Sequence, residues 1–257
     1  MEHRRVFEVT CDRDCRATED IAATCSGAGA SKQRQQQHSD TRCFFTGLVT
    51  GELDQYTRVP TGQQQMGPDE WDADHGAVAL TLSRTQKVSK KPIDKLVTVS
   101  SGEFEVVMAL SAGQLFLIDT QDLDVQPMKH GSLKGATSIT QDLCNVGCRT
   151  VLAICRSSIA PGLPKKLRLV FLEVNCVAGK AEAQVLYEQS LDDVANVRDI
   201  VWYGDVVLLR SESQYLHVTL STQDVKEIYS TQGEEVKTCM APMVEDKSVV
   251  LLMEDIG

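Results

Sequence analysis

The stretch Met108-Ala109-Leu110-Ser111-Ala112-Gly113-Gln114-Leu115-Phe116-Leu117-Ile118 decides the fold class. One apolar run enters Ser-Ala-Gly and a second apolar run leaves it. Glycine adopts positive φ without a steric penalty, so the reading is strand, tight turn, strand. Thr46-Gly47-Leu48-Val49-Thr50-Gly51-Glu52-Leu53-Asp54-Gln55-Tyr56 repeats this grammar, and 113 minus 51 gives an offset of 62 residues. A weaker copy spans 208–218, with Glu212-Ser213 in place of the glycine turn. A fourth hairpin runs through 151–174, its turn enlarged by residues 157–164.

Outward from these hairpins, short β-branched or leucine-rich runs recur. They fall at 104–110, 114–119, 150–156, 167–174, 183–187, 200–203, 206–210, 215–220 and 248–253, bounded by Gly, Ser, Asp or Pro. That is an all-β pattern. The continuous run Val206-Val207-Leu208-Leu209 predicts a strand covered on both faces. No amphipathic segment of crossover length separates the runs, which excludes a βαβ architecture. Hairpin centres recur at unequal intervals of roughly 40–60 residues, the scale of a four-stranded propeller blade. A β-propeller is therefore preferred over a β-sandwich, with roughly 4–5 blade equivalents in the chain.

Two segments interrupt the pattern. Residues 26–41 are small, polar and Gln-rich, and residues 61–76 are acidic and rich in breakers. Both are expected to be loop insertions in one propeller domain spanning 1–257. The strand at 248–253 reads as isolated, with no return strand. An open edge of that kind predicts a fragment or truncated product of a larger protein.

Composition limits function. The 257 residues carry 26 Lys and Arg against 36 Asp and Glu, a net charge of -10. Nucleic acids and anionic membranes bind through clustered cations, so neither is an expected direct partner. Arg4 and Arg5 are followed by no apolar region, so the N-terminus is not read as a signal peptide. No window has the length of apolar sequence needed to span a bilayer. Nine cysteines are scattered along the chain, and none of its three Asn begins a glycosylation sequon. Reduced thiols and a cytoplasmic location are expected.

The chemistry candidates each have a structural reading. Cys11 and Cys15, like Cys144 and Cys148, have a three-residue spacing that zinc permits, but incidental thiols are the preferred reading. Cys43, Cys155, Cys176 and Cys239 are expected to behave as small hydrophobes in or beside strands. His3, His38, His75, His130 and His217 are isolated, with His217 expected to face solvent from a strand. The glycine spacing of residues 62–68 lacks the Lys-Ser/Thr of a phosphate loop. Asp192-Asp193, Glu234-Glu235 and Glu245-Asp246 read as loop tips, while 87–91 and 164–166 read as solubilising basic patches. No catalytic, cofactor or metal residue is assigned, and the chain is expected not to be an enzyme.

With the hairpins in place, the sequence resembles the citron homology (CNH) domain. The resemblance starts at Lys91-Pro92-Ile93-Asp94-Lys95-Leu96, read as a lead-in strand, and continues through residues 107–123 to the Asp122-Leu123 step. Lys134-Gly135-Ala136, Lys166-Leu167-Arg168-Leu169-Val170-Phe171, Ile200-Val201-Trp202 and Ala241-Pro242-Met243 follow in the expected order. The order is most similar to the N-terminal propeller of HOPS and CORVET tethering subunits, of the Vam6 type and the TGF-β-receptor-associated-protein type. It covers residues 91–257 well and 1–90 loosely.

The resemblance implies a propeller of roughly seven blades followed by a helical solenoid that this chain lacks. It also implies a non-enzymatic scaffold, cytoplasmic and peripheral on endosomal or lysosomal (vacuolar) membranes. Expected partners are a Rab-type small GTPase and other HOPS/CORVET (class C Vps) subunits, with membrane contact indirect through protein. Two alternatives remain: the CNH regulatory module of a kinase or Rho exchange factor, and a metal-dependent propeller hydrolase or lyase. No short family motif assigns partner-binding residues by number.

Overall fold

The computed structural model describes residues 9–11, 21–28, 42–59, 78–101, 104–144, 149–156, 167–177, 180–191, 194, 197, 199–211, 214–230, 237–243 and 248–254. These form five β-sheets in chain order. The first holds β1 (Val9–Cys11), β2 (Ile21–Ala28), β3 (Arg42–Leu48), β4 (Glu52–Val59) and β5 (Val78–Lys87). The second holds β6 (Lys95–Ser101), β7 (Phe104–Ser111), β8 (Gln114–Asp119) and β9 (Val125–Pro127). The third holds β10 (Ala136–Gln141), β11 (Thr150–Arg156), β12 (Leu167–Val177) and β13 (Lys180–Leu191). β14 (Asp199–Tyr203), β15 (Val206–Arg210), β16 (Gln214–Thr219) and β17 (Asp224–Ser230) make the fourth, and β18 (Lys237–Met243) with β19 (Ser248–Glu254) the fifth. Among the described residues the only helical piece is a 3-10 turn at Gly131–Leu133.

Each sheet is an antiparallel meander, except that β1 joins the first by pairing parallel with β5. The first strands of successive sheets lie side by side: β2 by β6, β6 by β10, β10 by β14, and β14 by β18. Meanders that run outward from a shared line of first strands are the blades of a β-propeller. The fold class is therefore all-β, of the propeller kind.

The decisive hairpin forms as its sequence dictates. Ala112 and Gly113 both take positive φ, 48° and 79°, the combination that matches a two-residue turn to strand twist. Gly51 closes the earlier hairpin at φ 82°, its N–H donating to Leu48 O at 2.9 Å. Its carbonyl accepts from Val88 and Ser89 N–H at 3.0 Å each, which seats the chain leaving β5 on the hairpin.

Continuous hydrophobic runs arise because the central strands are buried on both faces. All eight residues of β7 are buried. Val107 and Ala109 pack with Phe45, Leu53 and Ile93 towards the first sheet. Val106, Met108 and Leu110 pack with Ile139, Val151 and Val170 towards the third. In β11 the alternation repeats, Val151 and Ala153 facing the second sheet and Leu152 and Ile154 the fourth. Each of the fully buried Val, Leu, Ile, Phe and Met side chains contributes roughly 1.5–3 kcal/mol through burial. Three apolar layers therefore hold the first four sheets together.

Several expectations are corrected. Residues 26–28 belong to β2 rather than to a loop, because they pair with Cys43, Phe44 and Arg42 across the ladder. The rest of 26–41, and all of 61–76, lie outside the described residues. The strand read at 183–187 extends over Lys180–Leu191, because its ladder with β12 continues past the apolar run. The lead-in strand read at 91–96 begins only at Lys95; Ile93 N–H instead donates to Leu48 O at 3.2 Å. The last strand is not isolated, since β19 pairs with β18 from Lys237↔Glu254 to Met243↔Ser248. Finally, Val206 and Leu208 are only half-buried, so β15 is fully covered on one face.

Candidate functional site

Several charged side chains are spent on sheet junctions. Arg84 leaves β5 and donates from Nε to Gln55 Oε1 at 2.8 Å. Its other nitrogens donate to Gln121 O at 2.7 Å and Thr120 O at 2.9 Å, at the turn after β8. One planar guanidinium thus ties the first sheet to the second. Asp142 does the same between the third and fourth, its Oδ1 accepting from Gly204 N–H at 2.7 Å and Cys144 N–H at 2.9 Å. Nearby, Leu143 N–H donates to Trp202 O at 3.0 Å. Where the first strands meet, Lys95 Nζ donates to Asp199 Oδ1 at 2.7 Å and Ser138 Oγ at 3.2 Å.

A cleft of about 450 Å³ opens between β13, the outer strand of the third sheet, and one end of the fourth sheet. β13 supplies Tyr187, Glu188 and Gln189; β14 supplies Trp202; the β14–β15 turn supplies Gly204 and Asp205; the β16–β17 turn supplies Ser221 and Gln223. Phe171 organises the aromatic wall. Tyr187 stacks on it at 4.2 Å and 15°, and Trp202 meets it edge-on at 5.5 Å and 79°. Trp202 Nε1 donates to Gly204 O at 2.6 Å, which locks the indole. Tyr187 remains 52% exposed, so the ring face away from Phe171 is open.

The electrostatics of this cleft are uneven. Asp205 accepts from Ser221 N–H at 2.8 Å and Ser221 Oγ at 2.6 Å, which fixes the carboxylate. No cation pairs with it among the described residues. Glu188, by contrast, lies 3.5 Å from Arg168 Nη1. Burial, and then the charge of Asp205, push the Tyr187 phenol above its usual pKa. Gln189 is 7% exposed, and its Nε2 has no hydrogen-bond partner. An unpartnered buried donor costs about 1–3 kcal/mol.

Other sequence candidates scatter. Cys43 and Cys155 are buried, as expected of small hydrophobes, and burial raises both thiol pKa values, that of Cys155 to about 12. Cys176 lies in a strand as expected, near the end of β12, but it is exposed there and so does not act as a buried small hydrophobe. Cys144 is half-buried, while Cys15 and Cys148 lie outside the described residues. His217 is half-buried in β16 opposite Leu208 and Lys226, and His130 Nδ1 accepts from Ser132 N–H at 3.3 Å. In the 87–91 patch, Lys87 Nζ donates to Thr50 O at 2.7 Å, a staple rather than a solubiliser. His3, His38, His75, residues 62–68, residues 164–166 and the three acidic pairs lie outside the described residues. Among those described, no three His, Cys, Asp or Glu residues are grouped to hold a metal.

Sequence reading missed the cleft. Trp202-Tyr203-Gly204-Asp205 carries a legible turn, with Gly204 at φ 54°, but its partners on β13 lie in another hairpin. Fold and clamps together define a propeller-class protein with a cleft between the outer strand of the third sheet and two turns of the fourth. No protein-family model matches the sequence, and no curated protein matches it. Among solved structures, the AfRom2 CNH domain is similar over 82% of this chain and 62% of that one, at 10% identity and a TM-score of 0.48. The WD40 domain of Neurospora crassa Pan2 is similar over 82% of this chain and 56% of that one, at 8% identity and a TM-score of 0.44. This chain thus spans less than two thirds of either. At such identities and scores the architecture rests on sheet order and first-strand adjacency.

Proposed function

We propose that this chain is a non-enzymatic protein-interaction scaffold in endosome-to-lysosome (vacuole) trafficking. It engages a Rab-type small GTPase or partner tethering subunits from the cytoplasmic side of the membrane. The observation that carries the reading is a contrast between the sheet junctions and the edge strands of the third and fourth sheets. At the junctions between sheets, the charges of Arg84, Asp142 and Lys95 are committed to holding the sheets together. Outward, β13 and β17 are edge strands that leave Leu186, Tyr187, Val225, Ile228 and Tyr229 exposed. Rigid sheets with apolar groups on unpaired edges suit protein contact, because an edge strand offers a row of free N–H and C=O groups. The net charge of -10 favours a protein partner over an anionic lipid surface. The order of CNH-like segments between Lys91 and Met243 supports the trafficking assignment.

Pull-down of GTP- and GDP-loaded Rab proteins and of HOPS and CORVET subunits on the immobilised full chain tests this. GTP-selective retention of a Rab protein, or retention of a tethering subunit, is expected. Retention of Rho-class GTPases alone would transfer the chain to the signalling type of CNH module. Retention of neither class would overturn the scaffold reading.

A further inference from the structure

The cleft between the third and fourth sheets has a chemistry of its own. Asp205 is held in place by two bonds from Ser221, yet no cation offsets its charge among the described residues. Beside it, Tyr187 presents an open ring face backed by Phe171. Gln189 forms part of the lining, is nine-tenths buried, and has an unpartnered Nε2. A carboxylate plus an open aromatic face calls for a planar cation. A spare amide donor calls for a neutral acceptor, since an anion would meet Asp205 and Glu188.

We propose that this cleft docks an arginine-bearing segment of a partner protein, the guanidinium lying on Tyr187 and forked onto Asp205, with Gln189 donating to a backbone carbonyl beside it. The inference rests on the protein-interaction reading and specifies the chemistry of one contact. Arginine fits better than lysine because its planar fork bonds both carboxylate oxygens while its face stacks on a ring. Each Asp205 oxygen already accepts one bond from Ser221 and keeps capacity for a second. The terminal torsion of glutamine is soft, so the Gln189 amide turns toward a carbonyl without leaving a rotamer well. At about 450 Å³, the cleft is large enough for one side chain and its flanking peptide units.

The test uses the full chain with Trp71→Phe, which leaves Trp202 at the cleft as its sole tryptophan. N-acetyl-arginine methylamide is titrated against Trp202 fluorescence, and N-acetyl-citrulline methylamide, uncharged and nearly isosteric, serves as the comparison. Saturable binding of the arginine probe is expected at about millimolar concentration, at least about tenfold tighter than citrulline. Asp205→Asn, which keeps an acceptor for Ser221, is expected to remove that preference, and so is Tyr187→Leu at constant circular dichroism. Equal affinity for the two probes, no binding of either, or full selectivity in both variants would overturn the proposal. Rab and tethering-subunit retention is scored separately, so a negative here leaves the scaffold reading standing, and loss of all protein retention leaves the measured cleft selectivity intact.

Discussion

Lys95 Nζ lies 2.7 Å from Asp199 Oδ1, although 104 residues separate the two in sequence. The pair joins the first strand of the second sheet to that of the fourth, and Ser138 of the intervening third sheet accepts from the same ammonium. With 32% and 26% of the side chains exposed, it lies between a surface and a buried ion pair. A double-mutant cycle of Lys95→Met and Asp199→Asn, read by urea unfolding, is expected to give a coupling of about 1 kcal/mol. A coupling indistinguishable from zero would show that the inner strands hold together without it.

Asp142 offers a sharper test of sheet-to-sheet registration. Asp142→Ala leaves the Gly204 and Cys144 N–H groups without their acceptor, and should lower stability by about 2 kcal/mol. Asp142→Asn retains an acceptor oxygen and should lose less. Urea midpoints give the order, and hydrogen exchange at the Gly204 amide should accelerate in the alanine variant.

Two glycines predict opposite outcomes for the same substitution. A Cβ on Gly51 would lie 2.4 Å from both Ser89 O and Lys91 O, at φ +82°. Backbone cannot retreat as a flexible side chain can, so Gly51→Ala should destabilise by about 3 kcal/mol or more. A Cβ on Gly131 meets nothing within 4 Å. Gly131→Ala should stay within about 0.5 kcal/mol of the parent in thermal unfolding.

Thiol chemistry separates the described cysteines. Exposed Cys176 should be alkylated rapidly in the native chain, whereas buried Cys43 and Cys155 should react only on unfolding. Burial raises the Cys155 pKa from 9.0 to about 12, so the folded state keeps its proton where the unfolded state has lost it. This contribution is complete below pH 9 and is lost as pH rises towards 12, by up to about 1.4 kcal/mol per pH unit. Urea unfolding of Cys155→Ala between pH 9 and 10.5 should show a shallower loss than the parent. An equal slope would remove Cys155 as the cause.

Which strands the sequence revealed depended on where they sit in a blade. β8 and β11 were legible at their full bounds, because central strands are apolar on both faces and end at turns. β17 went unread: Asp224–Tyr229 is exposed throughout, and only its ladder with β16 makes it a strand. β10 went unread for another reason, since Ala136-Thr137-Ser138-Ile139-Thr140-Gln141 has too few apolar residues to mark a strand. Its order comes from pairing with β11 and from neighbouring first strands. The apolar run at 183–187 ends at Tyr187 and leaves Gln189 outside it, yet both residues share a cleft with Asp205.

By itself the sequence determined the local grammar: hairpins turned by glycine, apolar central strands, an all-β meander and an acidic surface. Those follow from nearest-neighbour sterics and from burial, which act within a few residues. Only the tertiary structure decided that Lys95 meets Asp199, that Arg84 clamps the next sheet, and that Asp205 and Tyr187 line one cleft. Such contacts depend on how whole sheets are rotated against one another. That rotation is set by the fit of three apolar layers together, and no short stretch of the chain encodes it.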